Sequence, residues 1–170
     1  MLCIILVLCF AGCTKKPSDF RNANFGMSVS EVTKKENVDF VYASDNLLFY
    51  TTTMNAEDSE IYYYFVDGKL SEAECKFIID GRTIDENIAR FERMTAYLTS
   101  LYGEPVNPDF NRWLTEDEEQ KLDRPALLIY NQFLEYYLEW QTETAHISLL
   151  LNYKDAQINY VYAAEAIAQE

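Results

Sequence analysis

Alternation of apolar and polar residues with a period of two is the feature that most restricts the fold of this chain. Across residues 69–80 one face is apolar and the other is charged, with Ala73, Cys75, Phe77 and Ile79 set against Glu72, Glu74 and Lys76. This pattern predicts a strand with one face in a core and one in water, which is typical of antiparallel sheets. Asp67-Gly68 is a two-residue turn signal, so residues 61–66 are predicted as the hairpin partner.

Four further segments carry strand patterns: residues 47–53, 133–142, 146–153 and 157–162. A capping box formed by Ser28 and Glu31 predicts a helix Val29–Glu36. A second box at Thr83 predicts a helix Ile84–Tyr102, which Gly103 ends.

The order of these elements is helix, three strands, helix, three strands. It predicts an α+β domain of two layers, in which antiparallel sheet meanders are covered by two helices, because an apolar sheet face needs a covering layer. The repeated order also suggests a tandem α-β-β-β pseudo-repeat, although the two halves align poorly in sequence.

The N-terminal residues form an uncharged apolar run, residues 1–12, directly before Cys13. The run is shorter than the about 20 residues of a membrane-spanning helix, and its length is typical of the apolar region of a signal peptide. Phe10, Ala11, Gly12 and Cys13 resemble the lipobox of bacterial lipoproteins, in which the cysteine is lipidated after cleavage. An ordinary secretion signal and a buried N-terminal strand are the alternatives.

The resemblance to bacterial lipoproteins implies a domain plan. Residues 1–12 would be a cleaved signal peptide, residues 13–24 a lipidated tether and residues 25–170 a single α+β globular domain. Acyl chains on Cys13 would make the lipid bilayer a partner, since two or more chains anchor a protein stably. The expected location is the bacterial cell envelope, outside the cytoplasm.

Two short motifs carry a second resemblance. Phe25-Gly26-Met27-Ser28 with Glu31-Val32, and the turn at residues 101–105, are similar to the helix-then-sheet modules of β-lactamase-inhibitor-protein-like proteins. They also resemble the small lipoprotein of the outer-membrane assembly machine. This similarity implies a protein-binding or envelope-structural role without catalytic residues, with an envelope protein as the possible partner.

Residues suited to catalysis or metal binding are few. His146 is the only histidine and is predicted on the polar side of its strand. Cys75 shares its face with apolar residues, which favours core packing over a reactive thiol. The acidic run at residues 116–119 lacks the spacing of a calcium loop and is interpreted as a solvated loop. We therefore expect no catalytic residues, no metal site and no cofactor.

Charge and aromatic content narrow the partners further. The formal net charge of −14 argues against nucleic acid, whose phosphates attract Lys and Arg. Tyr62 and Tyr64 are predicted on one strand face and Tyr63 on the other. Together with Trp113 and Tyr137 they are candidates for partner binding, because tyrosine and tryptophan are enriched at interfaces. Core filling by these rings is the alternative.

Two functions remain as hypotheses. The first is a membrane-anchored lipoprotein that acts as a non-catalytic protein-binding or envelope-structural module. The second is a cell-wall or glycan hydrolase that uses a carboxylate pair, which the many acidic residues make possible.

Overall fold

The computed structural model describes residues 16–107, 135–154 and 157–167. These residues form two α-helices and one seven-stranded antiparallel sheet, so the predicted α+β class is confirmed. The elements in chain order are α1 Val29–Glu36, β1 Tyr42–Ala43, β2 Leu47–Met54, β3 Glu57–Val66, β4 Lys69–Phe77, α2 Ile84–Tyr102, β5 Tyr136–Gln141, β6 Ala145–Lys154 and β7 Gln157–Ala166.

The sheet is formed by two meanders that meet at its centre. The strand order is β1-β2-β3-β4-β7-β6-β5. The last strands of the two meanders, β4 and β7, pair antiparallel from Glu72 opposite Glu165 to Lys76 opposite Val161. Both predicted meanders therefore lie in one continuous sheet.

Both helices begin and end at the predicted residues. In α1, the Glu31 N–H donates to Ser28 Oγ at 3.4 Å, and the Ser28 N–H donates to Glu31 Oε2 at 2.8 Å. Thr83 and Glu86 make the equivalent bonds at 3.3 and 2.7 Å before α2. Gly103 ends α2 with a φ of 87°, which glycine adopts without steric cost.

One face of the sheet forms the core. Alternate residues of the long strands are buried on it, as the period of two predicts. Its largest fully buried side chains on the strands are Trp140, Tyr50, Tyr63, Tyr160, Tyr162, Leu48, Ile61 and Leu70. In β4 the buried residues include Ala73, Cys75 and Phe77, so the predicted inward face of this strand is confirmed.

Both helices contact these buried strand residues. The Glu36 carboxylate of α1 accepts hydrogen bonds from Tyr50 and Tyr63, each at 2.6 Å. In α2 the Arg90 carbonyl accepts a bond from Tyr160 at 3.0 Å. The apolar stripe of α2 is buried at Phe91, Met94 and Leu98. Polar bonds and apolar packing together fix both helices against the strands.

The predicted tether of residues 13–24 is wrong in its second half. Phe20 and Ala23 have no solvent exposure. The Phe20 ring stacks on Tyr162 with 4.8 Å between centroids, and the Phe25 N–H donates to Asp19 Oδ2 at 2.9 Å. Residues 19–24 therefore belong to the globular domain. The sequence lacks periodicity here because the segment is an irregular turn held by tertiary contacts.

The strands differ from the prediction at three places, one of which is the start of β3 at Glu57, four residues before the predicted residue 61. The two-residue strand β1 was not predicted, since two residues are too few to show alternation. The last strand, predicted over residues 157–162, continues to Ala166. Ala163 pairs with Glu74 of β4 and with Ser148 of β6, so backbone bonds on both sides hold this segment.

Several predicted features lie outside the described residues: the signal peptide, Cys13, Trp113 and the acidic run at 116–119. None of the helices within residues 16–107, 135–154 and 157–167 is long and apolar enough to cross a membrane.

Candidate functional site

The side of the sheet opposite the core carries the candidate site, and we call it the open face. Its central cross-strand row runs through all seven strands, since each member is the pairing partner of the next. The row consists of Tyr42, Phe49, Tyr62, Glu74, Ala163, Ser148 and Glu139. The side chains of this row are aromatic at one edge of the sheet. In the middle they are a glutamate and two small residues, and the last one, at the other edge, is a glutamate.

An aromatic stack forms one end of the open face. Tyr62 stacks on Phe49 with 4.8 Å between centroids and on Tyr64 with 6.3 Å. Phe49 and Tyr62 are directly paired across β2 and β3, whereas Tyr64 lies two residues along β3. All three rings are half-buried, so part of each remains in contact with solvent. The predicted placement of Tyr62 and Tyr64 on one face is confirmed, with Tyr63 buried on the other.

Carboxylates hold the phenol groups of this stack. The Tyr62 hydroxyl donates to Glu60 Oε2 at 2.9 Å, and the Tyr64 hydroxyl donates to Glu74 Oε2 at 3.4 Å. Burial and then the bond to Glu60 raise the pKa of Tyr62 to about 12. Both phenols are therefore neutral at physiological pH, and their orientation is fixed.

A lysine of the chain itself lies on this stack. Lys76 Nζ is 4.8 Å from the centroid of the Tyr62 ring and 3.3 Å from Glu74 Oε2. An ammonium group above an aromatic face, next to a carboxylate, is an arrangement of cation–π and ionic attraction. The open face thus holds the ammonium group of one of the protein's own lysines, Lys76.

Acidic residues crowd the centre of the open face. Glu72 of β4 lies directly opposite Glu165 of β7. Burial, then the charges of Glu165 and Glu74, raise the pKa of Glu72. Like charges directly opposite one another destabilise a sheet, so this pairing is unfavourable for the isolated domain.

A cavity of about 310 Å³ opens next to this acidic centre. Its polar lining comes from three strands and consists of Tyr137, Glu139, Gln141, His146, Ser148 and Glu165. The Tyr137 hydroxyl donates to Glu139 Oε1 at 2.6 Å. Burial and then this bond raise the pKa of Tyr137, so the phenol remains a donor.

The structure brings some of the predicted site residues together and separates others. Tyr62 and Tyr64 are in contact, whereas Tyr137 lies on the same face four strand spacings away, about 19 Å across the sheet. Trp113 and Cys13 lie outside the described residues. His146 is exposed beside the cavity, on the polar side as predicted. Cys75 is fully buried, and burial raises its pKa to about 12, so core packing is confirmed.

Three residues of the site were not predicted from the sequence: Phe49, Glu139 and Glu165. Alternation within residues 47–53 places Phe49 and Leu48 on different faces of the sheet. The outward position of Phe49 could therefore have been predicted from the sequence. The neighbourhood of Glu165 and Glu72 depends on the β4–β7 pairing. This pairing joins distant parts of the chain, and no local pattern specifies it.

A comparison of the chain with protein-family models, with curated proteins and with solved structures finds no match. Within residues 16–107, 135–154 and 157–167, no three side chains of His, Cys, Asp or Glu are grouped so as to hold a metal ion.

Proposed function

We propose that the chain is a lipid-anchored, non-catalytic module of a bacterial cell envelope that binds a protein partner on its open face. The observation that carries this proposal is the half-exposed stack of Phe49, Tyr62 and Tyr64 beside an acidic surface on a continuous sheet. Tyrosine rings supply a large contact area while their hydroxyl groups tolerate water, which suits a surface that is free in one state and covered in another.

The rigidity of this surface supports binding. The rings of Tyr62 and Tyr64 are held by each other and by bonds to Glu60 and Glu74. Side chains that are already ordered lose little rotamer entropy when a partner covers them, so more of the contact energy remains as affinity.

The acidic character of the face sets the partner's charge. Glu60, Glu72, Glu74, Glu139 and Glu165 all lie on the open face, as the cross-strand pairing shows. The formal net charge of the chain is −14. Complementary charge speeds association and excludes acidic competitors, so a basic partner is favoured.

Lipidation of Cys13 would hold the domain close to the bilayer. Lys16 is the first described residue, and its Nζ forms an ion pair with Glu143 at 3.0 Å. Three residue steps separate Lys16 from Cys13, which limits their distance to about 11 Å. Thr144 also bonds to Asp19, so the β5–β6 turn that carries Glu143 and Thr144 would face the membrane.

We also propose that the helices form a second layer and that α1 with β2–β4 and α2 with β5–β7 are related as a tandem α-β-β-β pair. The strand order supports this, because each meander runs from an outer position to the centre, where β4 and β7 meet.

The test is in-cell crosslinking followed by mass spectrometry in the organism that makes the chain. Wild type is compared with Tyr62→Ala/Tyr64→Ala and with Tyr97→Ala, which removes a half-buried tyrosine of α2 outside the open face. Tyr62→Phe/Tyr64→Phe retains the rings. The same spectra report acylation at Cys13.

We expect the double alanine variant to lose the crosslinked partner, while the phenylalanine variant and Tyr97→Ala keep it. Thermal melting of each variant verifies that the domain stays folded. Recovery of the same partner by the folded double alanine variant would contradict the open face as the contact surface. An unmodified Cys13 on an uncleaved chain would contradict the anchor.

A further inference from the structure

The cavity on the open face is lined by two glutamates, Glu139 and Glu165. We call it the hollow, defined by Glu139, Gln141, His146, Ser148, Ala163 and Glu165. We propose that the hollow receives an arginine side chain of the partner. This inference rests on the proposed function, since it names the chemistry by which a partner would be recognised on the same face.

The hollow exists because small side chains lie between large ones. Ala163 of β7 and Ser148 of β6 are direct neighbours in the central row. Glu74 flanks Ala163 on one side, and Glu139 flanks Ser148 on the other. Two short side chains between two glutamates leave room for this cavity. Its volume of about 310 Å³ is at the small end of ligand sites, enough for one side chain with its surroundings.

The described lining of the hollow is negatively charged. Glu139 and Glu165 contribute carboxylates, and none of the described residues that line it is a lysine or an arginine. Glu72, directly opposite Glu165, adds a third carboxylate at the margin. Lys76 of β4 is paired with Glu74 and lies on the Tyr62 ring. Among the described residues, the hollow therefore has no counterpart to the lysine that lies on the aromatic stack.

The mutual repulsion at this place gives the site an energetic reason to bind a cation. Burial and the charges of Glu165 and Glu74 raise the pKa of Glu72, which shows that the sheet opposes its ionisation. A guanidinium beside Glu165 would offset the part of that effect that comes from the neighbouring carboxylate charges. Binding would relieve an unfavourable interaction of the free domain as well as form new bonds.

The arrangement of acceptors favours a guanidinium over an ammonium or a metal ion. Glu139 of β5 pairs with Ser148 of β6, and Glu165 of β7 pairs with His146 of β6, so the two glutamates lie on either side of β6. A planar guanidinium has five donors and can bond to carboxylates on two sides, whereas an ammonium is a point charge. A metal ion needs several ligands around one point, and the described residues provide no such group. The Tyr137 bond holds Glu139 in place for a fork-like contact.

The experiment titrates the isotope-labelled full-length chain, in detergent, with three blocked tripeptides and follows the backbone amides of His146 and Ser148 by NMR. The tripeptides are Gly-Arg-Gly, Gly-Lys-Gly and Gly-citrulline-Gly. Citrulline keeps the shape of arginine without its charge. Glu139→Gln/Glu165→Gln is compared with Asp85→Asn/Glu92→Gln, a variant with the same change of net charge on exposed residues of α2.

We expect the arginine peptide to bind wild type and the α2 variant alike and to bind Glu139→Gln/Glu165→Gln at least about tenfold more weakly, because two charge-assisted bonds are lost. The lysine peptide should bind more weakly than arginine, and the citrulline peptide should give no shifts. Equal weakening in the α2 variant would show attraction to net charge alone and overturn the proposal. Equal binding of arginine and citrulline would also overturn it.

The outcome separates this inference from the proposed function. If the Tyr62/Tyr64 alanine variant loses the partner but the arginine peptide does not bind the hollow, only the proposal of an arginine site is contradicted. If the peptide binds the hollow while the partner is recovered without Tyr62 and Tyr64, the aromatic docking surface fails and the arginine site remains.

Discussion

Tyr63 of β3 donates a hydrogen bond of 2.6 Å to Glu36 of α1 inside the core, and this bond joins the first helix to the sheet. Tyr50 donates to the other oxygen of the same carboxylate at 2.6 Å, and Arg21 approaches it at 3.4 Å. Burial, then the charge of Glu36, raise the pKa of Tyr63. A buried carboxylate is costly unless it is bonded and paired, and these contacts supply both.

Removal of one hydroxyl group should measure the strength of this junction. We expect Tyr63→Phe to lower the free energy of unfolding by about 1.5–3 kcal/mol, because a bond to a buried charge is lost. Tyr62→Phe is the matched control. Tyr62 is the residue next to Tyr63 in the chain, and its hydroxyl group bonds to Glu60 on the half-exposed open face. Its expected cost is below about 0.5 kcal/mol. Urea unfolding followed by circular dichroism compares the two, and equal costs would contradict the structural role given to Glu36.

The segment before Phe25 provides a second prediction. Phe20→Ala should lower the free energy of unfolding by about 3–5 kcal/mol, since a fully buried ring that stacks on Tyr162 is replaced by a cavity. Asn22→Ala changes an exposed residue of the same segment and should alter stability by less than about 0.5 kcal/mol. Thermal and urea unfolding check both variants. An unchanged free energy of unfolding in Phe20→Ala would show that this segment is part of the tether and not of the globular domain.

The Cys75 thiol offers a third prediction. It has no solvent exposure, and burial raises its pKa to about 12. In a chain with Cys3, Cys9 and Cys13 replaced by serine, a thiol reagent such as Ellman's reagent should react at pH 8 only after the domain opens. Rapid modification of the folded protein at the rate of a free thiol would contradict the buried position. The same chain in denaturing urea gives the reference rate.

The pairing of Glu72 with Glu165 predicts that removing one of the two carboxylates stabilises the domain at pH 7 but not at acidic pH. A carboxyl group whose pKa is raised by folding stabilises fully below its unfolded pKa of about 4.5, and this contribution is lost as the pH rises through the folded value. Glu165→Gln removes a neighbouring charge, so it should lower the pKa of Glu72. It should stabilise the domain by about 0.2–1 kcal/mol at pH 7 and have little effect near pH 3.

Carbon-detected NMR titration of the Glu72 carboxyl and urea unfolding at both pH values measure this effect. Glu92→Gln, an exposed residue of α2, is the control and should change neither quantity. An unchanged pKa of Glu72 in Glu165→Gln would show that the two carboxylates do not interact across β4 and β7.

Local patterns in the sequence were sufficient to predict both helices and the six longer strands, but not the two-residue strand β1. The capping boxes at Ser28 and Thr83 specify both helix starts, because a short side chain and a following glutamate satisfy free N–H groups within one turn. Alternation identified the inward face of β4 and separated Tyr63 from its neighbours. These signals depend on residues that are close in the chain, and they therefore appear in the sequence itself.

The assembly of the open face was decided only by the tertiary structure. The β4–β7 pairing places Glu72 opposite Glu165, and the position of Phe20 against Tyr162 brings an irregular segment into the core. Such contacts join residues far apart in sequence, and their geometry depends on the packing of the whole sheet. The sequence by itself determined which side chains the strands with a clear alternation present to water. The tertiary structure decided which of them meet there, because strand order and register are set by the burial of the opposite face.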